Sequence, residues 1–360
     1  MATPKKSALS ENAGISQPNI VSDAAIAKIQ QFRKQQPTVS TLIQGIFNGN
    51  KTSLSQAITI IESSSLNHQA KATEIVTACL PHAAASIRVG ITGVPGVGKS
   101  TFIEAFGLYL TSIGKKVAVL AVDPSSTISH GSILGDKTRM EQLVNNPNAF
   151  IRPTASGETL GGVARKTRDT IVLCEAAGYD VVLVETVGVG QSETAVHGMV
   201  DFFLLLKIAG AGDGLQGIKR GIMEMADAVI INKADGDNIT KATLAKTEFG
   251  RALHLFSKKK SGWIPQVATC SATENVGIDH VWNIISEYVT LTKRNNYFED
   301  NRISQNKFWL LETINDSLKS HFYNHESIKK MMLENNDLIA RNLKSPFVAA
   351  NELLSFYFSK

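Results

Sequence analysis

The 360-residue sequence has little sulfur, few aromatics at 7%, and no long apolar run. Its three cysteines, Cys79, Cys174 and Cys270, are too few and too far apart for a disulfide framework or a Cys-x-x-Cys metal site; they fit a reducing compartment. No stretch reaches the roughly eighteen uninterrupted apolar residues that a membrane span requires. Met1 to about Asn19 is polar, with neither the apolar centre of a secretory signal nor the Arg-rich pattern of a mitochondrial transit peptide. The expectation is a soluble, cytoplasmic chain. Charge of one sign is scarce too, since 37 basic and 32 acidic residues leave a formal +5. The longest basic run, Lys258-Lys259-Lys260, reads as a solvated helix end, too small a cluster for a nucleic-acid face.

What is present is 43% hydrophobic sequence, enough for one main domain with extensions. Residues 1–20 read as a disordered tail and 21–86 as a helical extension, with Leu54, Ala57, Ile58 and Ile61 at helical spacing. From Ile87 short β-branched runs alternate with longer amphipathic stretches, the pattern of βαβ units on a buried parallel sheet. The expected strands are Arg88–Thr92, Lys116–Val122, Ala149–Arg152, Val181–Glu185, Phe202–Ile208, Ala228–Asn232 and Gln266–Cys270. The main domain is placed at 87–292. Residues 293–360 read as a helical arm, with Trp309, Leu310, Ile314 and Leu318 in one stripe and Leu353, Leu354 and Phe358 in another. Such an arm either folds back on its own domain or serves dimerisation.

Residues 93–100 read Gly-Val-Pro-Gly-Val-Gly-Lys-Ser, directly after a strand and directly before a plausible helix start. That strand–loop–helix context identifies a phosphate-binding loop. The fold class follows: an α/β P-loop nucleotide hydrolase with a mostly parallel central sheet flanked by helices, extended by helices at both ends. Gly93, Gly96 and Gly98 let the backbone of Val94, Pro95 and Val97 wrap an anion, with N–H groups pointing inward at a helix N-terminus. Lys99 is expected at the β and γ phosphates, Ser100 in the Mg²⁺ shell and Thr101 beside the loop. Asp123 and Glu185 end apolar strands at the carboxyl edge of the sheet, where ligands of open α/β sheets bind. Asp136, in a Gly-rich segment, is either a helix cap or a third metal carboxylate. Gly188, three residues after Glu185, stands where an amide can sense a γ phosphate, and the loop from Val189 through Gln191 to Glu193 would be released on its loss.

Asn232-Lys233-Ala234-Asp235 follows another strand and selects the base. The Asp235 carboxylate accepts only, which suits the two N–H donors of guanine and not adenine. Asn232 would tie the loops together and Lys233 would lie over the base. Ser271 and Ala272 follow the last strand; their amides could meet guanine O6, or Ser271 could simply cap the next helix.

Taken in order, Gly93–Thr101, Val122–Ser126, the string Glu185-Thr186-Val187-Gly188-Val189-Gly190-Gln191-Ser192-Glu193, and Asn232–Gly236 resemble the methylmalonyl-CoA mutase-associated GTPases, formerly described as transport ATPases. The resemblance spans most of the chain. It implies a homodimeric GTPase that uses GTP, GDP and Mg²⁺ to gate cofactor loading of an adenosylcobalamin-dependent acyl-CoA mutase and to protect it, with a cobalamin adenosyltransferase as a further candidate partner. It places metal and switch roles on Asp123, Asp136 and Glu185, and a third switch at 209–219 with Asp213, Gln216 and Lys219. Gly214 stands there where a larger acidic residue is expected. Val189 occupies the position of the water-orienting glutamine of small GTPases, so slow hydrolysis completed by a partner is expected, with Gln191 and Lys219 as candidates for the completion. The alternatives are a metallochaperone GTPase for metal-centre assembly, for which clustered Cys and His ligands are lacking, and a transport-associated ATPase or kinase, against which Asp235 argues.

Overall fold

The computed structural model describes residues 37–63, 65–83, 85–122, 140–153, 160–186, 192–210 and 220–359. Its centre is a seven-stranded sheet: β1 (Ile87–Gly93), β2 (Val117–Val122), β3 (Ala149–Pro153), β4 (Val181–Thr186), β5 (Phe202–Ile208), β6 (Ala228–Asn232) and β7 (Gln266–Thr269). The order is β3-β2-β4-β1-β5-β6-β7, with every pairing parallel. All seven strands expected from the sequence form, with ends that move by at most one residue.

Alternation along each strand decides which helices cover which face. Val89, Ile91, Val119, Leu183, Phe202 and Leu204 point to the side covered by α4 (Lys99–Ser112) and α10 (Ile278–Arg294), where Phe102, Phe106 and Ile284 fill the core. Ala118, Leu120, Val182, Val184 and Phe203 point the other way, toward α6 (Leu160–Ala176) and the N-terminal helices α1 (Val39–Phe47), α2 (Lys51–Glu62) and α3 (Leu66–Cys79). Thr38 and Asn50 start α1 and α2 by accepting the amides of Thr41 and Ser53, the capping expected of such side chains. The same face under β5 and β6 is closed by α9 (Ile239–Leu253) through Ala242 and Phe249. Three short helices complete the domain: α5 (Glu141–Val144), α7 (Ser192–His197) and α8 (Arg220–Met225).

Beyond α10 the chain forms α11 (Tyr297–Asn324), α12 (Glu326–Ala340) and α13 (Pro346–Phe358), as the sequence suggests. The expected stripes divide, however. Trp309 is buried and donates to Gly198 O at 2.8 Å, whereas Leu310, Ile314 and Leu318 are 62%, 45% and 57% exposed. Leu353 is buried while Leu354 and Phe358 face outward. The inward face of α11 is Phe298, Arg302, Gln305 and Trp309, spaced to recur on one side of a helix. Arg302 makes a bidentate pair with Asp201, both bonds at 2.7 Å, and donates to Ser86 O at 2.7 Å. Gln305 donates to Val200 O at 2.8 Å. Asp201 also accepts the Arg88 amide, and Arg88 pairs with Glu175, so α11, β1 and α6 are joined by one buried ionic network.

The reading of Lys258–Lys260 as a solvated helix end is corrected at Lys259. This residue lies in the connection to β7, and its ammonium reaches Asp227 at 2.7 Å and Met225 O at 2.8 Å. A half-buried ion pair with a carbonyl acceptor holds it there. All three cysteines are free and buried. No helix among the described residues is long and apolar enough to cross a membrane.

Candidate functional site

The loop Gly93–Ser100 leaves the carboxyl end of β1 at the middle of the sheet, and Lys99 and Ser100 open α4. Two glycines are required by contact. A Cβ on Gly93 would lie 2.7 Å from Leu206 O of the neighbouring strand. Gly98 adopts a left-handed φ of 90°, and a Cβ there would meet Asn232 Nδ2 at 2.9 Å. Lys99 folds over the loop and donates to Gly93 O at 2.7 Å and Val94 O at 3.4 Å. Burial pulls its ammonium below the usual lysine range, opposed by the charges of Glu185 and Glu193.

The base motif is joined to this loop by hydrogen bonds that bridge more than a hundred residues of sequence. Asn232 Nδ2 donates to Val97 O at 3.0 Å, and Lys233 Nζ donates to Gly96 O at 2.9 Å. Lys233 itself takes a left-handed φ of 58°, held by Asn238, which donates to its carbonyl at 2.6 Å. Asn232 Oδ1 accepts from Ala272 N at 3.3 Å and from Cys270 Sγ at 3.5 Å. Burial beside Asp235 pushes the Cys270 thiol up to about 12, so it stays protonated as a donor. Asp235 Oδ2 accepts from the hydroxyls of Ser271 and Thr273, the latter at 3.3 Å. The carboxylate is thereby fixed at the mouth of the site with acceptor capacity to spare.

The amides of Ser271 and Ala272, expected near guanine O6, have partners within the chain. Ser271 N donates to Val276 O at 3.0 Å within a small antiparallel bridge, and Ala272 N serves Asn232. The Ser271 side chain, facing Asp235, is what this segment offers to the base site. Thr273 was not legible as a site residue; only its place two positions after Ser271 hinted at it.

At the end of β4, Glu185 is buried, and Thr186 donates to Thr92 Oγ1 at 2.8 Å across the neighbouring strand. Glu193 on α7 is buried too, with Oε2 lacking a hydrogen-bond partner among the described residues. Carboxylates of this kind suit a hard divalent cation such as Mg²⁺. Asp123, Asp136, Gly188, Val189, Gln191, Asp213, Gly214, Gln216 and Lys219 lie outside the described residues. Among the described residues, no group of three or more His, Cys, Asp or Glu side chains is placed to hold a metal ion.

Residues 54–327 match the family model described as methylmalonyl Co-A mutase-associated GTPase MeaB. The chain is similar to the GTPase ArgK of Escherichia coli (strain K12), 45% identical over 319 residues that cover 89% of this chain and 96% of that protein. It is also similar to the mitochondrial methylmalonic aciduria type A homolog of Mus musculus, 42% identical over 337 residues, covering 91% and 81%. A solved structure described as an LAO/AO transport system kinase superposes with a TM-score of 0.72 at 37% identity, covering 94% of this chain and 99% of that one.

Proposed function

Since the chain belongs to the methylmalonyl-CoA mutase-associated GTPase family, we propose that it couples Mg-GTP binding and hydrolysis to cofactor loading and protection of an adenosylcobalamin-dependent acyl-CoA mutase, methylmalonyl-CoA mutase being the leading candidate. Guanine-nucleotide chemistry goes with the family. The observation that carries the site assignment is the double latch from the base motif to the phosphate loop, Asn232 to Val97 and Lys233 to Gly96. It brings together two segments that are far apart in sequence.

On this reading the backbone of Gly93–Thr101 cradles the phosphates. Lys99 exchanges the loop carbonyls it now holds for the β and γ oxygens, a charge-assisted contact in place of neutral ones. Asp235, steadied by Ser271 and Thr273, accepts the two guanine N–H donors, and the Lys233 stem covers the base. Ser100, Asp123, Asp136 and Glu185 are the residues assigned to hold Mg²⁺, which when bound would neutralise charge on the β and γ phosphates. Gly188 and Gln191 are assigned to sensing and hydrolysis, and Lys219 to completion of the site by the partner. The domain limits proposed are 87–292 for the GTPase domain and 293–360 for a dimerisation arm, whose exposed Leu310, Leu311, Ile314 and Leu318 support an apolar interface with a second copy. A cobalamin adenosyltransferase is a further proposed partner, and the proposed compartment is the cytoplasm.

The client assignment is tested by GTP turnover of the purified chain with and without an adenosylcobalamin-dependent mutase from the same cells. Turnover should rise several-fold. Full turnover in isolation, with no response to any such mutase, would contradict it.

A further inference from the structure

Glu193 has no part in the scheme above. It sits on α7, which packs against β1 and β4 beside the phosphate loop. Only 3% of its surface is exposed, and its Oε2 atom is buried with no hydrogen-bond partner among the described residues. Buried carboxylate oxygens are normally paired, because leaving one unmade forfeits its hydration without return. The Glu193 charge also bears on Lys99, whose ammonium it supports together with Glu185.

Two buried carboxylates thus act through their charge on one lysine of the phosphate loop, where a polyphosphate would arrive. A nucleotide without its cation would bring several negative charges toward both, in surroundings that screen poorly. A hydrated divalent cation reverses the sign of that encounter, and its water ligands are donors of the kind Oε2 lacks. We propose that Glu193 is a positioning residue that makes nucleotide binding depend on magnesium, its free Oε2 accepting from a water of the ion's hydration shell. Repulsion of cation-free nucleotide and attraction of the hydrated ion then act in the same direction. The proposal rests on the reading of Gly93–Thr101 as the nucleotide site.

The test is binding of a fluorescent GDP (mant-GDP) by the full chain, in excess magnesium chloride and in excess EDTA, with no turnover involved. For the wild type, the ratio of the two dissociation constants should favour magnesium. Glu193→Gln should shrink that ratio at least about fivefold, chiefly by tightening binding in EDTA. Glu193→Asp, which keeps the charge, should stay near the wild-type ratio. Glu193→Ala serves as a second neutral variant should Glu193→Gln fold poorly by circular dichroism, and must shrink the ratio likewise. A merely structural glutamate would weaken binding in both media in parallel, and that result, or an unchanged ratio in the neutral variants, overturns the proposal. A wild type that binds no mant-GDP in either medium overturns the nucleotide-site reading itself, and this proposal with it.

Discussion

The nucleotide end of the sheet and the C-terminal arm treat their surfaces in opposite ways. At the sheet, residues of β1, β2, β4, β5 and β6 are buried on both faces, and the loop's polar groups find partners within the chain: Lys99 on Gly93, Asn232 on Val97, Lys233 on Gly96. Along the arm, one face of α11 is equally well paired through Arg302, Gln305 and Trp309. The other leaves Leu310 and Leu311 more than 60% exposed, and Phe347 and Phe358 on α13 are 82% and 77% exposed. Among the described residues, the first region pairs its polar groups within one chain. The second leaves an apolar face bare, the surface that the proposed dimer would cover.

The sharpest break in this contrast is at the seam. Arg302→Ala leaves Asp201 buried without its bidentate partner, a loss of about 3–5 kcal/mol for a pair of this kind. Urea unfolding should show that drop, and a loss below about 1 kcal/mol would mean the arm is not pinned as described. Next, Lys99→Ala removes a preorganised cation from the reacting phosphates and should lower GTP turnover roughly 10²–10³-fold while the fold's thermal midpoint is kept. Asp235→Asn should follow, weakening GTP by about 1.5–3 kcal/mol per lost charge-assisted bond. An asparagine can donate to the 2-oxo group of xanthine, so competition assays should show XTP gaining where GTP loses. A smaller effect is expected from Leu310→Lys with Leu311→Glu: sedimentation should shift from dimer to monomer, while mant-GDP affinity changes by less than about twofold if the two regions are independent.

The smallest effect concerns pH. The His197 residue is exposed on its outer side, while desolvation of the ring holds the imidazole below its usual range, with Asp227 opposing and Lys259 reinforcing the shift. The unfolded chain therefore takes up this proton first, so stability is present at neutral pH and falls as pH drops below about 6.5. Because solvent screens an exposed ring, the thermal midpoint should fall by no more than about a degree further in the wild type than in His197→Asn between neutral and mildly acidic buffer.

Most of the sheet was legible because a parallel sheet covered on both sides leaves continuous apolar runs such as Phe202–Ile208 and Ala228–Asn232. The phosphate loop and the Asn232–Asp235 motif were legible because their chemistry allows few residue types. The contacts that close the site were harder to see. Thr273, the Asn232–Ala272 bond and the buried Glu193 depend on how loops meet in space. Sequence alternation is silent on that. The stripe Trp309–Leu318 misled for a related reason: helical spacing marks a shared face only approximately, and Trp309 sits on its edge, turned inward by the Gly198 carbonyl. Lys259 looked like surface charge because its partner Asp227 lies 32 residues earlier, at the start of β6.

The account stands or falls on the claim that Gly93–Thr101 and Asn232–Asp235 form a single guanine-selective site. The direct measurement is displacement of mant-GDP from the wild-type chain by GTP and by ATP in magnesium. GTP should displace at roughly a hundredfold lower concentration than ATP or better, as two charge-assisted bonds to Asp235 require. Equal displacement by the two nucleotides would contradict it.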